Sequence, residues 1–195
     1  SIAENIARIR ANMAAAAREA GRDPKEILLV GASKMNDAAA CREAVAAGID
    51  ALGENRVQEM VQKLEQHAYD GAPLHFIGHL QRNKVKQVVG HVALIQSVGS
   101  LELLDEIEKV AAARGLVQDI LLEVNIGREA AKSGFAPEKV LPAAEAALER
   151  THVRVRGLMT IPPADAQRDA NFRYFQEVQA LYVDMNQKLF HNELE

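Results

Sequence analysis

Short apolar runs alternate with segments of helical periodicity along the whole chain. Ile2, Ile6, Ile9 and Met13 recur at helical spacing, so residues 2–20 are predicted to form an amphipathic helix. Six apolar runs predict strands at 27–32, 51–53, 74–77, 91–95, 118–126 and 152–161. Helical patterns after them predict helices at 38–47, 55–67, 81–89, 101–114, 137–150 and 168–190. The pattern therefore predicts an extra first helix followed by six strand–helix units.

Strict alternation of strands and helices is typical of an α/β protein with a parallel sheet. Two architectures are compatible with six units: a doubly wound open sheet, and a (β/α)8 TIM-type barrel with two units missing. The strand at 118–126 carries Glu123 on one face, and the last strand carries Arg154 and Arg156 on one face. A barrel interior can hold such charges if they pair, so we expect Glu123 to pair with Arg154 or Arg156. This alternation favours the barrel.

Composition narrows the class of protein. The chain has 195 residues, of which 48% are hydrophobic, which suits one domain with a substantial core. Its net charge of −4 argues against binding to nucleic acid or to an anionic membrane. Its single cysteine, Cys41, excludes an internal disulfide and a cysteine-rich zinc site. No apolar run is long enough to span a bilayer, and no secretory segment opens the chain, so we expect a soluble cytoplasmic protein.

Lys34 is the most informative candidate for chemistry. No nucleotide-binding, metalloprotease or nucleophile-elbow motif occurs, and we expect no metal site. Lys34 follows the apolar run 27–32 directly, at the strand edge where parallel α/β folds place their active sites. If it points into a barrel, desolvation would lower its pKa, and a neutral amine can form a Schiff base. On spacing alone, a solvated loop lysine is the more common case.

Five other positions have both a structural and a functional interpretation. Asn55 fits the N-cap of the third helix and also lies at a strand end. Lys132 lies in the long loop after the fifth strand, where a solvated lysine is the simpler interpretation. Met159 ends the sixth strand and is more often a core residue. His75 is expected to be a core histidine, and Cys41 a small buried thiol.

Several motifs together resemble one known family, although each is weak alone. The chain is similar to the pyridoxal 5'-phosphate (PLP) homeostasis proteins of bacteria and humans. The matching motifs run in family order: Ser33-Lys34, then Leu52-Gly53-Glu54-Asn55 with Val57-Gln58-Glu59, then His75-Phe76-Ile77-Gly78 with Leu80-Gln81 and Asn83-Lys84, then Lys132-Ser133-Gly134, and finally Arg156-Gly157-Leu158-Met159.

The resemblance implies a barrel like the N-terminal domain of alanine racemase, with PLP as the cofactor. By position, Lys34 is the family's Schiff-base lysine. Asn55 and Met159 would line the cofactor pocket. Lys132 matches a loop lysine suggested to help hold the cofactor or hand it on. The resemblance thus reverses the preference for a merely solvated Lys34.

The resemblance also bears on domain organisation and activity. Family members continue with two further strand–helix units that supply most of the phosphate contacts. We therefore expect residues 1–195 to be a single PLP-binding barrel domain that lacks its last two units. Members are taken to buffer PLP and deliver it to PLP-dependent apo-enzymes, with no established catalytic reaction. We expect a monomer whose partners are PLP and such enzymes, without nucleic acid or membrane.

Two other functions stay open at this stage. A racemase-like PLP enzyme would need a second acid–base residue facing Lys34 and a further domain. A class I aldolase would usually carry its lysine on the sixth strand, and residues 153–161 contain none. The other possibility is a barrel that binds its ligand non-covalently.

Overall fold

A computed structural model describes residues 1–130 and 132–194. Its α-helices are α1 (Ile2–Glu19), α2 (Ala38–Ala46), α3 (Val57–Glu65), α4 (Leu101–Arg114), α5 (Val140–Leu148) and α6 (Arg168–Leu189). Its strands are β1 (Val30–Ala32), β2 (Ala51–Glu54), β3 (Leu74–Phe76), β4 (Leu94–Val98), β5 (Gln118–Glu123) and β6 (Val153–Met159). Short 3-10 helices cover Pro24–Glu26, Arg82–Gln87 and Pro137–Lys139. The predicted extra first helix and six strand–helix units are confirmed.

The six strands form one sheet in the order β1-β2-β3-β4-β5-β6. The pairs β1–β2, β4–β5 and β5–β6 are parallel. A doubly wound sheet would reverse its strand order at a switch point, whereas here the spatial order equals the chain order. The observed order is therefore of the barrel type. The full count of eight strands, and a single domain over residues 1–195, stay predictions.

Residues Ser1–His75 form the first of two compact units. Helix α1 begins with a capping box in which the Ser1 hydroxyl accepts the Glu4 N–H and the Glu4 side chain returns to the Ser1 backbone. Asp50 accepts hydrogen bonds from the Arg10 guanidinium at 2.9 Å and from the Leu29 N–H at 2.7 Å. The bond from Arg10 lowers the pKa of Asp50. Asp50 therefore fastens α1 to the segment that leads into β1.

Residues Phe76–Glu195 form the second unit. Its core includes Leu104 and Ile107 of α4 and Ile120 and Leu122 of β5, all fully buried. Helix α4 ends at Gly115, whose left-handed φ of 64° closes the helix. The helix therefore ends where the sequence predicts.

The strand predicted at 27–32 from its apolar composition is shorter and less buried than a wholly apolar run suggests. Only Val30–Ala32 forms a strand, its residues are half-buried or exposed, and Leu28 is 64% exposed. The physical reason is position, because β1 is first in the strand order and, among the described residues, has a neighbouring strand on one side only. Apolar composition alone does not tell an edge strand from a central one.

Two further elements differ from their predictions. The helix predicted at 81–89 is the 3-10 helix Arg82–Gln87, a form that is common in such short connections. The strand predicted at 91–95 lies three residues later, at Leu94–Val98. Apolarity misplaced it because the strand includes polar Gln96 and a buried Ser97.

The predicted pairing of Glu123 with Arg154 or Arg156 is wrong. Arg154 and Arg156 both bind Asp119, at 2.8 Å and 3.1 Å respectively. The β5–β6 register explains this, because it aligns Asp119 with Arg154 at one end of the strands and Glu123 with Met159 at the other. The two exposed arginines therefore share Asp119 as their carboxylate partner.

Backbone packing at Gly134 gives a first prediction. Gly134 has φ +110°, and a Cβ there would lie 2.8 Å from the backbone nitrogen of Asn125. Gly134→Ala should therefore cost about 3 kcal/mol of unfolding free energy, from overpacking and backbone strain together. Gly115→Ala is the matched control, because Gly115 also has a left-handed φ, of +64°, but a Cβ added there would meet no atom within 4 Å. This substitution should cost about 1 kcal/mol of unfolding free energy. Urea unfolding measures both, and equal losses would contradict the close approach at Gly134.

Candidate cofactor-binding site

Lys34 and Asn55 lie just beyond the carboxyl ends of two neighbouring strands. The β1–β2 register pairs Ala32 with Gly53, and Lys34 and Asn55 each lie two residues after these paired positions. The Ser33 N–H donates to the Gly53 carbonyl at 2.9 Å and extends the ladder to the residue before Lys34. The Lys34 side chain is exposed, so the desolvated amine considered from the sequence is not what the structure shows. Lys34 is instead accessible to a ligand from solution.

Asn55 is not the helix N-cap that its sequence context predicts. Helix α3 begins at Val57, with Arg56 in the cap position and no side-chain cap bond. Asn55 is half-buried, and its Oδ1 is buried with no hydrogen-bond partner among the described residues. Such an unsatisfied acceptor costs about 1–3 kcal/mol, which a ligand donor could recover. Asn55 is therefore free to bind a ligand rather than occupied in capping.

A buried polar cluster lies beneath Lys34. The side chain of Glu54, at the end of β2, is completely buried, and its Oε2 accepts three hydrogen bonds. The donors are the Ser33 hydroxyl at 2.9 Å, the Lys63 ammonium at 2.8 Å and the Tyr69 hydroxyl at 2.6 Å. Burial and the bond to Glu54 raise the pKa of Tyr69 far above its usual range, so its hydroxyl stays protonated as the donor. The cluster holds the Glu54 Oε2 inside the first unit, while its Oε1 is buried with no hydrogen-bond partner among the described residues.

Two charged side chains of α3 connect this cluster to the loop that carries Lys34. Lys63 donates to the Ser33 carbonyl at 2.8 Å and pairs with Glu59 at 2.7 Å. Glu59 in turn accepts the Met35 N–H at 2.7 Å. Burial lowers the pKa of Lys63, but its bonds to Glu54 and Glu59 outweigh burial and raise it overall. The bond from Lys63 lowers the pKa of Glu59, so both groups are charged at neutral pH.

The sequence analysis missed Glu59 and Lys63 as residues that shape the site. The available signal was their i,i+4 spacing on α3, which is a common pattern for an ion pair on a helix surface. Glu54 and Glu59 belong to the family motifs, but the sequence alone indicates no structural role for either residue. Only the fold shows that Lys63 is buried against the Lys34 loop.

The second unit holds the other two predicted site residues. Met159 is the last residue of β6, is half-buried, and its carbonyl accepts the Val124 N–H at 2.8 Å. Lys132 is exposed in the loop after β5, with its ammonium 3.6 Å from Glu129. Asn125 shapes this loop, because its side-chain N–H donates to the Glu129 carbonyl at 2.7 Å.

Glu123 is the most perturbed carboxyl group of the second unit. Burial raises its pKa, and this effect is partly offset by the Ser133 hydroxyl, which donates to it at 3.2 Å, and by the nearby His79. The adjoining cleft is lined by His79, Ser133 and Ser97, and the Ser97 hydroxyl is buried with no hydrogen-bond partner among the described residues. This end of β5 is therefore a polar, partly desolvated environment.

The two buried groups named from the sequence behave as expected. His75 is buried in β3, and burial lowers its pKa. Cys41 is a free, buried thiol whose pKa burial raises, so it is a poor nucleophile. In residues 1–130 and 132–194, no cluster of three or more metal-binding side chains occurs. None of the helices described here is both long and apolar enough to cross a membrane.

Comparisons with known proteins agree with this arrangement. Residues 5–194 match the alanine racemase N-terminal domain. Pyridoxal phosphate homeostasis proteins of Pseudomonas aeruginosa and Escherichia coli are 39% and 32% identical to the chain. The matches cover 95% and 97% of this chain and 81% and 82% of those proteins, respectively.

Solved structures give the same result. PipY of Synechococcus elongatus without PLP is 30% identical, with a TM-score of 0.85 over 96% of this chain and 83% of PipY. PipY with PLP bound is 28% identical, with a TM-score of 0.81 over the same shares. Alanine racemase of Clostridium difficile has a TM-score of 0.68 over 86% of this chain and 44% of its own, and at 17% identity it shares the fold alone.

The fold is thus that of an alanine racemase N-terminal domain, built on a sequentially ordered parallel sheet behind an extra first helix. Within that class, the chain belongs to the pyridoxal phosphate homeostasis protein family. The family resemblance found in the sequence is confirmed.

The residues of the first unit fit a cofactor that carries an aldehyde. An accessible lysine amine stands at the end of β1, on a loop fixed by hydrogen bonds to Ser33 and Met35. The next strand end presents Asn55, whose buried Oδ1 lacks a partner among the described residues. A lysine amine condenses with aldehydes, and the unsatisfied acceptor matches a ligand hydroxyl or N–H.

The raised pKa of Glu123 predicts a stability change that depends on pH. The folded state favours protonated Glu123, so its pKa is higher in the folded chain than the ordinary value of 4.5. The folded chain therefore loses stability as pH rises from below 4.5 through the folded-state pKa. Glu123→Gln should therefore raise the free energy of unfolding at about pH 8, and this gain should vanish at about pH 4. Denaturant unfolding at both pH values measures the difference. Glu145→Gln, at an exposed position of α5, is the control, and a gain independent of pH would contradict the prediction.

Proposed function

We propose that this chain binds PLP covalently through Lys34 and takes part in PLP homeostasis. One observation carries the proposal: the Lys34 amine is exposed at a strand end, on a loop whose backbone is hydrogen-bonded on both sides of Lys34. The resemblance of Ser33-Lys34 to the family motif supports the choice of this lysine. The PLP-bound structure of PipY supports the choice of cofactor.

When bound, PLP supplies an aldehyde carbon that forms a C=N bond with a primary amine and releases water. Lys34 supplies that amine and must lose its proton to act as the nucleophile. Its exposure lets solvent accept the proton and lets the cofactor approach. The Asn55 Oδ1, which has no hydrogen-bond partner in the described part of the chain, is proposed to orient a ligand donor at the neighbouring strand end.

Met159 and Lys132 are proposed to serve the same cofactor because they match family motifs. Met159 offers a half-buried apolar surface at the end of β6. Lys132 is exposed on the loop after β5, and its weak pairing with Glu129 leaves it available for holding or handing on the cofactor.

We propose carriage of PLP without catalytic turnover. The named relatives are homeostasis proteins, which is consistent with this role. PLP-dependent apo-enzymes are the proposed recipients, and the chain is proposed to act as a cytoplasmic monomer. The proposed domain is one PLP-binding barrel over residues 1–195.

Replacement of Lys34 tests the attachment directly. Borohydride reduction of the protein with PLP should fix the cofactor on the peptide that contains Lys34, as read by peptide mass mapping. Lys34→Ala should lose at least about tenfold of this adduct because the exposed amine proposed to carry the cofactor is gone. Lys25→Ala, an exposed lysine of the same unit, is the matched control and should label normally.

Two results would contradict the proposal. Label spread equally over surface lysines would remove Lys34 from the site. Steady exchange of alanine enantiomers by the PLP-loaded protein would show that it acts as a racemase and not only as a carrier.

A further inference from the structure

We propose that Glu59 and Lys63 are positioning residues that hold the backbone of Lys34 for cofactor attachment, acting from the buried side of the loop. This inference rests on the proposed role of Lys34. Together with Glu54, which supports Lys63 from below, these residues are named here the Lys63 clamp.

The clamp binds both peptide groups that flank Lys34. On one side, the Ser33 carbonyl, which belongs to the Ser33–Lys34 peptide, accepts the Lys63 ammonium at 2.8 Å. On the other side, the Met35 N–H, which belongs to the Lys34–Met35 peptide, donates to Glu59 at 2.7 Å. Lys63 and Glu59 are themselves paired at 2.7 Å. The Lys34 backbone is therefore fixed while its side chain remains free.

The conformation of Met35 shows that this loop needs support. Met35 has φ 64°, a left-handed value that is unfavourable for a residue with a Cβ. Its side chain is 90% exposed, so packing does not hold it. The bond from its N–H to Glu59 compensates for the strain together with the backbone bond that the Asn36 N–H donates to the Ser33 carbonyl at 3.1 Å.

Lys63 uses all three of its N–H donors in these contacts. Its ammonium has three N–H donors, and it contacts three acceptors: the Ser33 carbonyl, Glu54 and Glu59. Its side chain is 7% exposed, and that of Glu54 is completely buried. Glu54 also accepts the Ser33 and Tyr69 hydroxyls, so its contact with Lys63 is one of three bonds to the same oxygen. All three Lys63 donors therefore have acceptors in the clamp or on the loop.

Stability alone does not account for this arrangement. Buried ion pairs are expensive to desolvate, and apolar residues of similar volume often stabilise a protein as well or better. What apolar residues cannot do is bind a carbonyl and an N–H on either side of one residue. The chemistry of the clamp is suited to fixing the loop geometry at Lys34.

Three single substitutions separate positioning from general stability. Glu59→Ala removes the acceptor of the Met35 N–H, at a side chain that is only partly buried, so the chain should still fold. Glu59→Gln keeps an oxygen acceptor and removes the charge. Tyr69→Phe removes one hydrogen bond to Glu54 in the same cluster but none to the loop, and it is the matched control for lost stability.

The first readout needs no cofactor. Hydrogen exchange at the Met35 amide should be about tenfold faster in Glu59→Ala, near the wild-type rate in Glu59→Gln, and within about threefold of wild type in Tyr69→Phe. Thermal unfolding midpoints identify the stability lost by each variant. Equal acceleration in Glu59→Ala and Tyr69→Phe would overturn the clamp.

The second readout is the apparent Kd for PLP together with the borohydride adduct on the Lys34 peptide. Glu59→Ala should weaken binding by about tenfold, Glu59→Gln should restore most of it, and Tyr69→Phe should bind nearly as wild type. Unchanged affinity in Glu59→Ala, despite faster exchange at Met35, would overturn the positioning role. If the wild-type chain itself gives no Lys34 adduct, the proposed function fails, and the cofactor role of the clamp fails with it. Hydrogen exchange at the Met35 amide would still test whether the clamp holds the loop.

Discussion

The buried carboxylate of Glu54 is the constraint on which the first unit depends. A buried polar group is tolerated only when hydrogen bonds compensate it, and the Ser33 hydroxyl, the Lys63 ammonium and the Tyr69 hydroxyl all donate to the Glu54 Oε2. These bonds require β2, α3 and the loop after β1 to meet at one place. The same contacts that hold the Glu54 Oε2 therefore fix the loop that carries Lys34.

The parallel sheet supplies the other half of the arrangement. Carboxyl ends of adjacent parallel strands lie at one edge, so residues far apart in the chain become neighbours through register. Lys34 and Asn55 each follow paired positions of β1 and β2 by two residues. Asn55 keeps a buried oxygen without a partner among the described residues, and Lys34 keeps an exposed amine. One unsatisfied acceptor and one reactive amine at adjacent strand ends are what a small aldehyde cofactor requires.

Carboxylates in the two units respond in opposite ways to their surroundings. The bond from Lys63 lowers the pKa of Glu59, so this residue is a charged anchor. Burial raises the pKa of Glu123, which forms no salt bridge with a lysine or arginine among the described residues, so this residue favours its protonated form in the folded chain. The difference lies in whether an ammonium group shares the burial. Sequence shows a glutamate on a helix and a glutamate on a strand, and it does not show this difference.

The sequence by itself determined the order and type of the main elements and the position of the candidate lysine. Periodicity is a local property, and it predicted α1 and α4 closely. Family motifs are also local in sequence, and they indicated Lys34 and the PLP role. Only the tertiary structure decided the exposure of β1, the pairing of Arg154 and Arg156 with Asp119, and the release of Asn55 from helix capping. It also decided that Lys63 is buried against the Lys34 loop. Each of these depends on strand order, register or burial between segments distant in sequence, and local pattern carries no information about such contacts.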